Sequence, residues 1–337
     1  MNDGQGPVRW GFIGASTIAH EHIVNAVRLA GHEVVGIASG ARERAAQFAA
    51  EHRIPFATDS VNALLARPDV DAVYISSTND RHCAQVLAAA AAGKHVLCEK
   101  PLAMNVPDAQ RMVQACRAAG VLLGTNHHLR NAATHRALRD LVRAGAIGKP
   151  LFARVHHAVY LRPLVQGWRI HDPAAGGGVI RDIVVHDVDA LRFVLGSEPQ
   201  EAMAMTQSAY LATEGLEDGV MAVLRFSDGL LAHVHAAYTT RNTVTGFEIL
   251  GDQGSLVARD VMTVQPVGSV ILRDADGERP VELAQENLYA RGVALFASAL
   301  RGKGAPAATG EDGLRSLAAA LAVAASAESG QRVLIAA

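Results

Sequence analysis

The sequence predicts an α/β chain: an N-terminal doubly wound parallel sheet, then an α+β domain with an open, mostly antiparallel sheet. Two observations carry this expectation. Across residues 8–124, short apolar runs alternate with helix-like segments, the order that builds βαβ units. Beyond residue 126 the apolar residues switch to a period of two, punctuated by turn sequences. The switch sets the expected boundary between a first domain, 1–126, and a second, 127–337.

The elements follow in order. Residues 8–13, Val-Arg-Trp-Gly-Phe-Ile, form a short buried strand, then a turn at Gly14 and a helix to about Ala30. Glu33–Ala38 is the second strand and Arg42–His52 the next helix. Val61–Leu65 is a short helix, Ala72–Ser76 a strand, His82–Ala92 an Ala-rich helix and His95–Cys98 a strand. A helix over Val106–Ala119 and a strand over Val121–Gly124 complete this half. In the second half, one long helix is expected over His127–Ala144. Strand alternation follows at Phe152–Tyr160, Glu201–Tyr210, Gly219–Phe226, Leu230–Tyr238 and Thr245–Leu250. Ser227-Asp228-Gly229 and Gly251-Asp252-Gln253-Gly254 read as hairpin turns. Asn287–Leu300 and Gly310–Ser329 read as helices.

Half of the 337 residues are hydrophobic but only 4% are aromatic, so Ala, Val, Leu and Ile must supply the core. The net charge of −2, with no block of like charges, gives no footprint for nucleic acid or an anionic membrane. Cys83, Cys98 and Cys116 are scattered and odd in number, which fits a reducing compartment better than a disulfide framework. None has zinc-ligand spacing, and no metal is expected. Met1–Gly6 is polar and lacks the basic and apolar regions of a signal peptide. No apolar run approaches the ~20 residues that span a bilayer. The expected location is the cytoplasm.

The turn Gly14-Ala15-Ser16-Thr17-Ile18-Ala19 sits between a strand and a helix. It fits G-x-G-x-x-G/A with Ser16 in place of the middle glycine, and marks a Rossmann-type dinucleotide site. Gly14 makes the sharp bend. Small residues at 16 and 19 let a pyrophosphate approach the helix N-terminus, whose free N–H groups attract phosphate. The second strand ends at Ser39 rather than the carboxylate that binds a ribose 2′-hydroxyl in NAD sites. A hydroxyl with Arg42 and Arg44 just beyond suits a 2′-phosphate, so NADP is the expected cofactor. Ser77, Thr78, Asn79 and His82 follow a strand that should end over that cofactor.

The segment Gly93-Lys94-His95-Val96-Leu97-Cys98-Glu99-Lys100-Pro101 places Glu-Lys-Pro at a strand end. Further on, Gly176-Gly177-Gly178 precedes Asp182 and His186, four residues apart. With the Gly14 turn, this order and spacing resemble the Gfo/Idh/MocA family of sugar and inositol oxidoreductases over essentially the whole chain. Trp10–Ala19, Gly124–Asn131 and Gly167-Trp168-Arg169 resemble a branch that reduces a cyclic ketose with NADPH. One departure is Asn79, where the family often has proline after Thr78. The resemblance implies a carbohydrate substrate and Glu99 and Lys100 beside the cofactor, with a structural role for a Glu99 side chain turned away from the substrate as the alternative. Family members often pair through the open sheet face, whereas this branch implies a monomer.

The residues themselves suggest the chemistry. Hydride delivery to a ketone leaves charge on oxygen, which needs a cation and a proton donor within hydrogen-bond reach. Lys100 and His186 are the expected pair. If helical, Asp182 and His186 share a face, and the carboxylate can orient the imidazole and raise its pKa. Trp168 offers an apolar platform for a sugar and Arg169 a hydroxyl donor. His127 and His128 lack a carboxylate or Cys spaced to complete a metal site. Two other readings stay open: another NAD(P)-dependent sugar or inositol dehydrogenase, and a non-catalytic dinucleotide-sensing regulator.

Overall fold

A computed structural model describes residues 6–336. The reading of Met1–Gln5 as free of a signal peptide lies outside the described residues. The chain divides into two compact units. The first ends at Asn126 and takes in Tyr289–Gly313; the second covers His127–Leu288 and resumes at Leu314. A single cut after residue 126 therefore leaves out one return of the chain, whose helical, apolar sequence carries no signal of the unit it joins.

The first unit holds six parallel strands: β1 (Arg9–Ile13), β2 (Glu33–Ala38), β3 (Ala57–Thr58), β4 (Ala72–Ile75), β5 (His95–Cys98) and β6 (Leu123–Thr125). Their order is β3-β2-β1-β4-β5-β6, so the winding reverses between β1 and β4. Between the strands run α1 (Val24–Leu29), α2 (Arg42–His52), α3 (Val61–Leu65), α4 (His82–Ala91) and α5 (Val106–Ala118). A π-turn over Ala19–Ile23 leads into α1. Helices cover both faces of a parallel sheet, so its strands run apolar throughout; every residue of β4 is buried. Caps fix the helix starts. Ser60 accepts from the Ala63 N–H, and Asn105 from the Asp108 N–H. Leu64 of α3 fills a notch over Gly11 and Gly36, where added Cβ atoms would lie 3.3 and 2.6 Å from its Cδ1.

The second unit carries a nine-stranded sheet. Along the chain come α6 (Ala133–Arg143), β7 (Pro150–Ala158), α7 (Pro163–His171), α8 (Val185–Leu195), β8 (Pro199–Gln207), β9 (Gly219–Phe226) and β10 (Leu231–Ala237). Then follow β11 (Gly246–Gly251), β12 (Ser255–Arg259), β13 (Ser269–Asp274), β14 (Gly277–Pro280), α10 (Gly310–Ser329) and β15 (Val333–Leu334); α9 (Leu288–Leu300), between β14 and α10, belongs to the first unit from Tyr289 on. The sheet order is β14-β13-β12-β11-β7-β10-β9-β8-β15, with β7 and β10 as the parallel pair in an otherwise antiparallel ladder. One face packs on α6, α8 and the second-unit part of α10 through residues such as Leu138, Val188, Leu191 and Val323. On the other face Met203, Met205, Met221 and Val223 are exposed.

The continuous helix expected over His127–Ala144 is broken. A 3-10 turn covers His128–Asn131, Ala132 is extended at φ −60° and ψ 136°, and α6 starts at Ala133. All of residues 125–135 are buried. A surface helix turns about 100° per residue and cannot bury eleven residues in a row. The short β12, β13, β14 and β15 also escaped the periodicity. Every residue of β14 is exposed, so it has no apolar alternation to read.

Helix α8 carries charge inside the core. Asp187, Asp189 and Arg192 are buried along with His186. Asp189 accepts from Arg130 Nε and Nη2 at 2.8 and 2.7 Å and from Ser316 Oγ at 2.9 Å. Arg192 donates to Ser316 Oγ at 2.8 Å and to Glu198 at 2.6 and 2.9 Å. Burial pushes the Asp189 carboxyl up, but Arg130, His127 and Arg192 outweigh it and hold it below the ordinary value. A depressed carboxyl contributes stability that is complete above its unfolded value of 3.8 and is lost as pH falls through the folded value. Asp189→Asn should therefore cost about 3–5 kcal/mol at neutral pH, because it leaves buried guanidinium charge uncompensated. Urea melts at pH 7 and pH 3 check this: the gap between variant and wild type narrows at the lower pH.

Candidate active site

The dinucleotide turn lies where the winding reverses. Gly14 has φ +108°, and a Cβ there would sit 2.7 Å from the Ser77 nitrogen and 2.8 Å from the Ser76 carbonyl carbon. Gly14 N–H donates to the Ala38 carbonyl at 2.8 Å, which pins the turn to β2. Ser16 Oγ donates to Ser76 Oγ at 2.8 Å and accepts from the Ala19 N–H at 3.2 Å. The Ser16 hydroxyl thus caps the helix and bridges the ends of β1 and β4. Ser16, Thr17 and Ile18 stay partly exposed, while Ala19 is buried against the sheet. A bare backbone bend, small residues and an accessible helix start fit a dinucleotide pyrophosphate.

Ser39 is buried just past β2, its N–H donating to the Thr58 carbonyl at 3.1 Å. Arg42 and Arg44 open α2 and are exposed. Arg81 joins them from another loop: a Cβ on Gly40 would lie 3.4 Å from its Nη1. This cation escaped sequence reading because it lies in the β4–α4 connection, forty residues from the strand end it approaches. In that connection Ser77 Oγ donates to Gln85 at 2.6 Å, Thr78 is partly exposed and Asn79 is buried. His82 was expected at the cofactor. It is completely buried, its ring nitrogens 3.0 Å from the Pro101 carbonyl oxygen and 3.2 Å from that of Ser77. Burial lowers its pKa. The imidazole is a spacer between two loops, because both nitrogens already face backbone acceptors.

Glu99 faces the core. Its Oε1 accepts from Tyr74 Oη at 2.6 Å and from Asn126 Nδ2 at 2.5 Å, inside the core. Burial pushes the Glu99 carboxyl up, opposed by those two bonds. The carboxylate ties together the ends of β4, β5 and β6 and points inward. Lys100, the next residue, is partly exposed and precedes Pro101 through a cis peptide. Neighbouring side chains at a strand end point opposite ways.

In the second unit the glycine turn packs against the residues expected on the substrate side. A Cβ on Gly177 would lie 2.8 Å from the Trp168 carbonyl oxygen and 2.9 Å from that of Arg169. Gly178 has φ +101° and donates to the Arg169 carbonyl at 2.9 Å. A π-turn over Ile180–Val184 then leads into α8, with Glu217 accepting from the Ile180 N–H at 3.0 Å. Asp182 Oδ2 accepts from Tyr238 Oη at 2.9 Å and lies 3.2 Å from Arg169 Nε. Burial and the Asp182 charge push the Tyr238 pKa well up, so its hydroxyl stays a donor. The Arg169 guanidinium stacks 4.6 Å over the Trp168 ring. His186 is buried, with the His128 and His127 rings edge-on at 4.9 and 6.1 Å between centroids. Four of the expected residues, Trp168, Arg169, Asp182 and His186, therefore lie in one unit, and Tyr238 is the member that sequence reading missed. A groove of about 590 Å³ on the open sheet face, lined by Met203, Met205, Met221, His233 and His235, includes none of them.

A nicotinamide dinucleotide is the cofactor of this site. Residues 8–127 match the model of an oxidoreductase family with an NAD-binding Rossmann fold. Residues 135–257 match that of the GFO/IDH/MocA C-terminal domain. The chain is 57% identical over 323 residues to 1,5-anhydro-D-fructose reductase of Ensifer adhaerens, covering 96% of this chain and 97% of that protein. It is 28% identical to myo-inositol 2-dehydrogenase of Thermotoga maritima, covering 92% and 93%. Among solved structures it is similar to the aldose-aldose oxidoreductase of Caulobacter crescentus complexed with glycerol. That match has a TM-score of 0.87 at 26% identity and covers 97% of this chain and 99% of that one. With both halves matched in order and the first carrying the dinucleotide turn, the chain belongs to the Gfo/Idh/MocA family of oxidoreductases.

Proposed function

We propose that this chain is an NADPH-dependent reductase that converts 1,5-anhydro-D-fructose to 1,5-anhydro-D-mannitol at the C2 ketone. The observation that carries the reading is the 57% identity, over 96% of the chain, to the Ensifer adhaerens protein named for that substrate. The preference for NADPH rests on Ser39 just past β2, with Arg42 and Arg44 opening α2 beyond it and the Arg81 guanidinium beside Gly40. A carboxylate there would repel a 2′-phosphate; these groups attract it. The three cysteines are free and buried, in keeping with a cytoplasmic enzyme.

When bound, the reduced nicotinamide supplies the hydride. We assign polarisation of the ketone oxygen to Lys100 and its protonation to His186. Asp182 positions the substrate side, and Tyr238 with Arg169 hold its carboxylate in place. Trp168 supports the sugar ring through an apolar face.

Steady-state assays test the substrate: turnover of 1,5-anhydro-D-fructose with NADPH is expected, and none of myo-inositol with NADP. Activity on myo-inositol alone would replace the substrate and keep the family. Ser39→Asp should raise the KM for NADPH at least about tenfold, while Arg81→Ala weakens NADPH and leaves NADH use unchanged. An unchanged KM in both variants would sink the assignment of the 2′-phosphate subsite. Lys100→Ala should lower kcat about 10²–10⁴-fold with the fold intact, and unaltered turnover would overturn the assignment of Lys100 to the ketone oxygen. Tyr238→Phe should reduce kcat/KM for the sugar about tenfold and spare the KM for NADPH.

A further inference from the structure

His20, Glu51 and His52 converge on the outer face of the first unit. His20 lies in the π-turn before α1, and Glu51 and His52 close α2. Spacing along the chain hides the cluster, because 32 residues separate the two histidines. His20 Nδ1 and His52 Nε2 are 2.8 Å apart, and Glu51 Oε2 is 3.6 Å from His20 Nδ1. All three atoms lie within 4.8 Å of one another. Gln47 Nε2 donates to the other Glu51 oxygen at 2.9 Å. The Phe48 ring lies against both imidazoles, with centroids at 6.2 and 4.5 Å. The Arg28 guanidinium donates to the His52 carbonyl oxygen. The group is thus held from beneath and open above: the side chains of His20 and Glu51 are 52% and 44% exposed.

We propose that His20, Glu51 and His52 form a site for a divalent transition metal of the zinc, nickel or copper class. Ligands about 2.0–2.1 Å from a tetrahedral metal stand about 3.3 Å from one another. The separations of 2.8 and 3.6 Å bracket that value, so small side-chain rotations complete the geometry. Two imidazole nitrogens and one carboxylate suit these borderline metals, whereas magnesium and calcium take oxygen ligands. Water takes the open fourth position. The bound ion joins the helix that follows the dinucleotide turn to α2, two elements with no covalent neighbourhood. The expected consequence is stabilisation of the first unit, independent of turnover.

Calorimetric titration of the tag-free, metal-stripped enzyme with Zn²⁺ is the test, with Co²⁺ absorption to read coordination. One Zn²⁺ per chain is expected at this site, with a Tm rise of about 5 °C near a hundredfold excess over Kd. His20→Ala and His52→Ala should each weaken binding at least about tenfold and at least halve the Tm rise at the same Zn²⁺ concentration, and Glu51→Gln should weaken it less. His233→Ala, on the open sheet face, should change neither reading. Equal Zn²⁺ affinity in wild type, His20→Ala and His52→Ala would overturn the proposal, as would a Tm rise with Mg²⁺ equal to that with Zn²⁺.

Discussion

At the ends of β1 and β4 the backbone of Gly14 runs so close to Ser76 and Ser77 that no side chain fits between them. That approach occurs where the winding of the sheet reverses and the strand ends diverge into a crevice. Ser16 and Ser76 then bridge the gap through their hydroxyls. The middle position of the fingerprint thus trades conformational freedom for a bond that holds the helix start over the crevice. Glu99 acts beside it from below, drawing β4, β5 and β6 together so that Lys100 emerges at a fixed place.

The second unit solves a different problem. Its central helix, α8, is buried nearly all round and carries His186 among Asp187, Asp189 and Arg192. Each charge meets a partner from another element: His157 of β7 on Asp187 at 2.8 Å, Arg130 and Ser316 on Asp189, and Glu198 on Arg192. Hydrogen-bonded pairing makes such burial tolerable. It also fixes the roll of the helix about its axis, because a rotation would strand every pair at once. His186 is oriented by that roll and by the edges of His127 and His128.

Much of this was legible in the sequence, and the limits have physical causes. The first unit announces itself because its central strands are short apolar runs, β4 buried throughout, alternating with helical segments. Ser39 could be read because a strand end fixes where its side chain goes. The core bonds of Glu99 and the full burial of His82 are harder to read for the opposite reason. A motif names adjacent residues, but neighbouring side chains diverge, and the buried member scaffolds the exposed one. Tyr238 and Arg81 were invisible because their partners lie on distant strands and loops; Tyr238 is 56 residues from Asp182. The helix expected over His127–Ala144 failed because its start is buried on all sides, where helical periodicity has no meaning.

The scarcity of aromatics has a practical consequence. The chain has two tryptophans, and each unit holds one. Trp10 is fully buried in β1, its ring 5.3 Å from that of Phe296. Trp168 is partly exposed beneath the Arg169 guanidinium. Their emission therefore separates without labels: a blue, quencher-resistant band from the buried Trp10 of one unit, and a redder, quencher-accessible band from the partly exposed Trp168 of the other. Native fluorescence can report the unfolding of each unit as a separate signal.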